Sequence, residues 1–127
     1  MKKDITHLSV GRVGEKIAAA YLKKLKFEIL ETNVYRKWGE LDIVAKNKQT
    51  KRIHIIEVKT VSGSCASIQI HPAENLTKSK LEKLERTAVL YTQEKQIANW
   101  QLDAVLVWYN EEGKKAQLEY IENIYTK

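Results

Sequence analysis

Between residues 11 and 26, apolar and small side chains recur at Val13, Ile17, Ala20, Tyr21 and Leu25, among charges at Arg12, Lys16, Lys23, Lys24 and Lys26. That spacing predicts an amphipathic helix. Three short runs rich in Ile, Val and Leu follow at 27–33, 40–46 and 52–60, and they read as strands. The connections between them, Arg36-Lys37-Trp38-Gly39 and 46–51, are too short to hold a crossover helix, so the three strands should form an antiparallel meander. A polar stretch with Ser62-Gly63-Ser64 and Pro72 leads to Leu81, Leu84, Ala88 and Tyr91 at helical spacing, which predicts a second helix over roughly 75–95. The apolar run 101–109, a turn near 110–114 and a last strand near 117–123 complete the chain.

The order is therefore α-β-β-β-α-β-β, and the expected fold is α/β: a central mixed five-stranded sheet flanked by helices. The strands on either side of the second helix can lie parallel through a right-handed crossover. Residues 1–10 carry little periodicity and are expected to be a flexible tail, with 11–127 forming one domain. The composition of the 127 residues, 43% hydrophobic and 30% charged with a single Pro, suits one folded core and excludes a disordered or collagen-like chain. The longest apolar runs, 17–22 and 104–109, are far too short to span a bilayer. Asp4, Thr6, His7 and Ser9 stand where a signal peptide would be apolar. A cytoplasmic location away from membranes is the expectation. The lone Cys65 excludes an internal disulfide and a thiolate metal cluster, and reads as an incidental thiol.

The net charge of +6 is unevenly placed: residues 1–60 hold 14 Lys and Arg against 7 Asp and Glu, whereas the remainder holds 8 against 9. Segregated basic charge is a footprint for phosphate backbones, although lysine-rich solvated surfaces are common in small proteins as well.

The candidate chemistry lies in two short stretches, Gly39-Glu40-Leu41-Asp42 and Ile55-Ile56-Glu57-Val58-Lys59, with fourteen residues between Asp42 and Glu57. Alternation along a strand puts Glu57 and Lys59 on one face and Val58 on the other, with Asp42 on the face of Glu40 and Val44. If the second and third strands pair, Asp42 and Glu57 become neighbours, and two adjacent carboxylates call for a cation between them. Hard Mg²⁺ or Mn²⁺ would take Asp42, Glu57 and the carbonyl of Val58 as ligands. Lys59 beside it could position a water or stabilise charge at phosphorus. Glu-x-Lys also occurs on ordinary exposed strands. Here, however, Ile53, Ile55, Ile56 and Val58 make the strand apolar on both faces, as in a buried strand, where charges are seldom placed without partners. Glu15 lies on the helix face of Ala18, Ala19 and Leu22, so it either joins the site or merely complements the helix dipole. Gly11 and Gly14 would permit close approach of a backbone or phosphate.

Together these pieces resemble a known pattern: Gly11-x-x-Gly14-Glu15-x-x-Ala18-x-x-Tyr21-Leu22, Ile29-Leu30-Glu31-x-Asn33, Gly39-Glu40-Leu41-Asp42-Ile43-Val44, Ile56-Glu57-Val58-Lys59-Thr60, Lys80 before a helix with Ala88 and Tyr91, and Leu102-Asp103-Ala104-Val105. They resemble the YraN-type family of bacterial proteins, within the restriction-endonuclease-like PD-(D/E)XK superfamily and similar to archaeal Holliday junction resolvases. The resemblance covers roughly residues 11–124. It implies a metal-dependent nuclease acting on DNA, branched or single-stranded, in repair or recombination, working as a symmetric homodimer. Glu15, Asp42, Glu57 and Lys59 are then the catalytic set, with Glu15 reaching the metal through water. The alternative is a non-catalytic nucleic-acid-binding or scaffold protein that keeps the fold.

Such proteins commonly carry arginines where this chain has Tyr35 and Val61, and Arg36 and Lys37 are candidates to replace the first. The expected nucleic-acid contacts are Arg12, Arg36, Lys37, Trp38 and Lys80. Trp38 would either stack on an exposed base or plug the sheet. Lys78, Lys80, Lys83 and Arg86 alternate with Glu82 and Glu85, the pattern of a solvated helix face. His7, His54 and His71 show no ligand spacing and read as surface or structural residues.

Overall fold

The computed structural model describes residues 7–62, 76–110 and 115–124. Cys65, His71, Pro72 and most of the 110–114 turn lie outside them. The described elements are α1 (His7–Lys24), β1 (Phe27–Arg36), β2 (Gly39–Asn47), β3 (Ile53–Ser62), α2 (Lys78–Glu94), β4 (Trp100–Asn110) and β5 (Lys115–Ile121). The five strands form one sheet in the order β1-β2-β3-β4-β5, antiparallel except for the parallel pair β3 and β4 that α2 connects. The predicted mixed sheet and meander are both present. α1 opens at His7, four residues ahead of the position its apolar stripe indicated.

Both faces of the sheet are covered. α1 lies over β1, β3 and β4, closing a core of Ala18, Leu22, Phe27, Ile43, Ala45, Ile56, Val58, Val105 and Val107. α2 covers the other face through Leu84, Ala88 and Tyr91, against Val34, Leu41, Val44, Ile55 and Leu102. Burial on both faces is why β3 and β4 read as nearly unbroken apolar runs, in which alternation assigns successive residues to opposite layers. α2 is capped by Thr77, whose hydroxyl accepts from the Lys80 N–H at 3.2 Å and satisfies one of the unpaired donors of the first turn.

Two close approaches fix the helices on the sheet. A Cβ at Gly14 would lie 1.8 Å from Thr60 Oγ1, so α1 meets β3 at van der Waals range only because residue 14 has no side chain. A Cβ at Gly39 would lie 2.4 Å from Thr87 Oγ1, and the residue has φ +156°. The β1–β2 turn, only Lys37-Trp38 between the strands, is thereby pressed onto α2. The Thr87 hydroxyl lies 2.9 Å from the Lys83 carbonyl and 3.3 Å from that of Trp38.

Candidate active site

The β2–β3 ladder pairs Lys46 with Ile53 through to Ile43 with Ile56 and then stops. On the same register Asp42 stands opposite Glu57 at the first rung that is not formed. The β1–β2 ladder also passes from Thr32↔Ile43 to Val34↔Leu41 without a rung at Asn33 and Asp42. Alternation breaks at this point, since Leu41 joins the core under α2 while Ile43 joins the core under α1. Asp42 is thus released from both neighbours, and its carboxylate replaces the missing rung by accepting the Val58 N–H at 2.8 Å. Asn33, opposite it, has φ +53°, a left-handed conformation that asparagine tolerates better than most residues.

Burial and the adjacent Asp42 carboxylate push the Glu57 carboxyl up to about 8, with Lys59 opposing them. The Lys59 Nζ is 3.3 Å from Glu57 Oε2. Glu15 reaches the same centre from α1: burial first and Asp42 second raise its carboxyl above the ordinary range, while a hydrogen bond with Asn33 and the Arg12 charge pull it down. Glu40 adds a weaker repulsion. Three elements therefore converge on one point, with Glu15 from α1, Asp42 from β2, and Glu57 and Lys59 from β3.

Clefts open on both sides of this acidic centre. One, of about 410 Å³, runs between the β1–β2 turn and α2, lined by Tyr35, Lys37, Trp38, Lys80 and Lys83 together with Glu57 and Lys59. The other, of about 370 Å³, lies between α1 and β1 beside Arg12, Lys16, Thr32 and Asn33, with Glu15 in its wall. Lys37, Trp38 and Lys80 line the first and Arg12 the second. Arg36 reaches the first cleft but turns its guanidinium to Glu94, with Nε at 2.9 Å and Nη2 at 2.8 Å, and stacks over Tyr91. Tyr91 in turn donates to Glu31. Arg36 therefore clamps α2 to β1. Lys80 and Lys83 are exposed, as the charge alternation of α2 indicates, and this exposed face forms one side of the cleft.

Sequence spacing does not reveal Asn33 as a partner of Glu15: β1 carries Glu28, Glu31, Thr32 and Arg36 as well, so one more polar residue in it gives no signal. A second polar centre was also missed. His54 Nδ1 lies 2.7 Å from Asp103 Oδ2, and the fully buried Asp103 further accepts from Gln101 Nε2 (2.8 Å), Tyr120 Oη (2.5 Å) and the Asn123 N–H (3.0 Å). Burial alone would raise the Asp103 carboxyl, but these hydrogen bonds together hold it below its usual range. His54, Asp103 and exposed Glu122 each offer a ligand atom within 4.8 Å of the others, a group that could hold a metal ion. Its members come from β3, β4 and the segment after β5, so no local spacing announces it.

The layered mixed sheet, with acids and a lysine gathered where two strands part, defines an α/β protein consistent with the restriction-endonuclease-like architecture. Residues 14–107 match the Uncharacterised protein family UPF0102. The chain belongs to that family. A UPF0102 protein of Campylobacter lari is 38% identical over 115 residues, covering 90% of this chain and 91% of the relative. One from Clostridium botulinum is 38% identical over 119 residues (91% and 93%), and one from Aliarcobacter butzleri is 34% identical over 116 (90% and 94%). No helix among the described residues is long and apolar enough to cross a membrane.

Proposed function

We propose that this protein is a metal-dependent phosphodiester hydrolase acting on DNA. The observation that carries this reading is the facing pair Asp42 and Glu57 at the end of the β2–β3 ladder, with Lys59 beside Glu57 and a lysine-lined cleft leading to them. The donor set suits Mg²⁺ or Mn²⁺. Two carboxylates close enough for one to hold the other's proton in place form a hard, doubly anionic site once both ionise, and the Val58 carbonyl adds a neutral oxygen ligand. Glu15, on the Asp42 side, would act through water. A bound divalent ion would supply Lewis-acid activation of water and neutralise charge developing at phosphorus.

The chain's own residues do the rest. The Val58 N–H fixes the orientation of Asp42, and Asn33 and Arg12 hold Glu15. Lys59, anchored by Glu57, can donate to a phosphate oxygen as one P–O ester bond is replaced by a bond to water oxygen. The lysines of the first cleft bring the polyanion to the acids, which would otherwise repel it.

A panel of linear, single-stranded, flap and four-way-junction DNAs with Mg²⁺ or Mn²⁺ tests the reading. Asp42→Asn and Glu57→Gln should abolish cleavage while DNA affinity is kept, and Lys59→Met should keep metal binding but lose the chemical step. Equal cleavage by wild type and both carboxylate variants would refute it. Mn²⁺ calorimetry locates the ion: binding lost in Glu57→Gln and kept in Glu122→Gln assigns it to this centre, and the reverse assigns it to the His54 group.

A further inference from the structure

The first cleft has features that phosphate attraction does not require. Tyr35 and Trp38 stand at the tip of the β1–β2 hairpin with 62% and 38% of their surfaces exposed, and both line the cleft. Aromatic rings of this size are usually packed away, and here α2 meets the backbone of the turn through Thr87. Facing them from α2 are Lys80 and Lys83, with Lys37 beside Trp38. No ion pair to these three lysines occurs among the described residues. Two rings and three ammonium groups thus line a cleft that Glu57 and Lys59 also line.

We infer that this cleft seats an unpaired DNA strand, its bases stacked on Trp38 and Tyr35 and its phosphates on Lys37, Lys80 and Lys83. In a duplex the flat faces of the bases are covered by their neighbours, so rings can stack only on bases that have left the helix. A cleft of about 410 Å³ has room for one or two nucleotide units and none for a double helix. The concentration of lysines also disfavours a second copy of this chain, whose net charge of +6 would repel them. The inference rests on the hydrolase reading for the direction in which the strand enters. It assigns the substrate class, namely ends, flaps, gaps or frayed junctions rather than intact duplex.

The test is fluorescence anisotropy of the full chain in EDTA with a labelled mixed-sequence oligonucleotide presented as single-stranded DNA, as the same sequence in RNA and as blunt duplex DNA. Single-stranded DNA should bind roughly tenfold more tightly than the duplex, as expected when one base gains a stacking partner. Trp38→Ala and Tyr35→Ala should each erode that preference, Trp38→Phe should retain it, and quenching of tryptophan emission on binding should vanish in Trp38→Phe. Thermal melting confirms that the variants are folded. Duplex binding as tight as single-strand binding, or folded aromatic variants that leave the preference untouched, would overturn the inference. RNA bound tenfold more tightly than DNA would overturn the assignment to DNA. Because no metal is present, the hydrolase reading fails separately, by absence of cleavage in Mg²⁺ and Mn²⁺ while the single-strand preference persists.

Discussion

Glu57 is held between a carboxylate and an ammonium in a partly desolvated position, and its raised proton affinity has a definite sign for stability. Its ordinary value is near 4.5 and its folded value about 8, so between these limits the folded protein holds more protons than the unfolded chain and stability falls as pH rises. In EDTA, Glu57→Gln should gain on the wild type by about 1–3 kcal/mol near pH 8 and by almost nothing near pH 4.5. Urea denaturation at both pH values checks this, and a constant difference between the proteins would count against it. Asp103 behaves in the opposite sense. Its carboxyl is depressed from 3.8, so its contribution is complete above that value and is lost as pH falls through the lowered one. Asp103→Asn should cost about 2–4 kcal/mol at pH 7 by leaving buried donors of the network badly matched, measurable as a lowered urea midpoint with unchanged slope. Strand parity put Glu57 and Lys59 on one face, and the assumed pairing of the second and third strands brought Asp42 beside them. Asn33 and the His54–Asp103 pair were not legible, because their partners lie on other elements and depend on tertiary register.

Among the secondary elements, α1 depends most on a single contact. Gly14→Ala would drive a Cβ into the Thr60 hydroxyl, with the Thr60 Cβ itself at 2.8 Å, so the helix must lift or tilt. Overpacking of this kind costs about 1–3 kcal/mol. Glu15 is the next residue and would be displaced with the helix, so cleavage should fall by more than the loss of folded protein explains. Comparing active fraction with the folded fraction from circular dichroism separates the two effects, and Gly14→Ala with unaltered stability would refute the contact. That Gly14 serves a close approach was legible in the sequence, and the choice between another element of the chain and a phosphate was not. The meander was legible because its connections are short. The early start of α1 was hidden, because a few residues before Gly11 carry too few apolar positions to establish a period.

For the molecule as a whole, the excess positive charge of the first half was readable from residue order, but the cleft joins it to α2, from the half that is nearly balanced. Folding thus gathers lysines that the linear pattern separates. Lys80→Ala and Lys83→Ala should each weaken single-strand binding and flatten the dependence of log Kd on log salt by about 0.7, one phosphate contact apiece. Arg36→Ala should change that slope much less, since its guanidinium is engaged with Glu94, and should instead loosen the end of α2. A salt titration of the three variants distinguishes these outcomes.

The amide of Val58 is held by a side chain, where its neighbours on β3 are held by backbone. Its hydrogen therefore exchanges with solvent on a schedule set by one carboxylate. In Asp42→Ala that single amide should lose its protection from deuterium while Ile55 and Ile56, inside both ladders, keep theirs, so one resonance in a spectrum of the whole protein reports whether the centre is assembled.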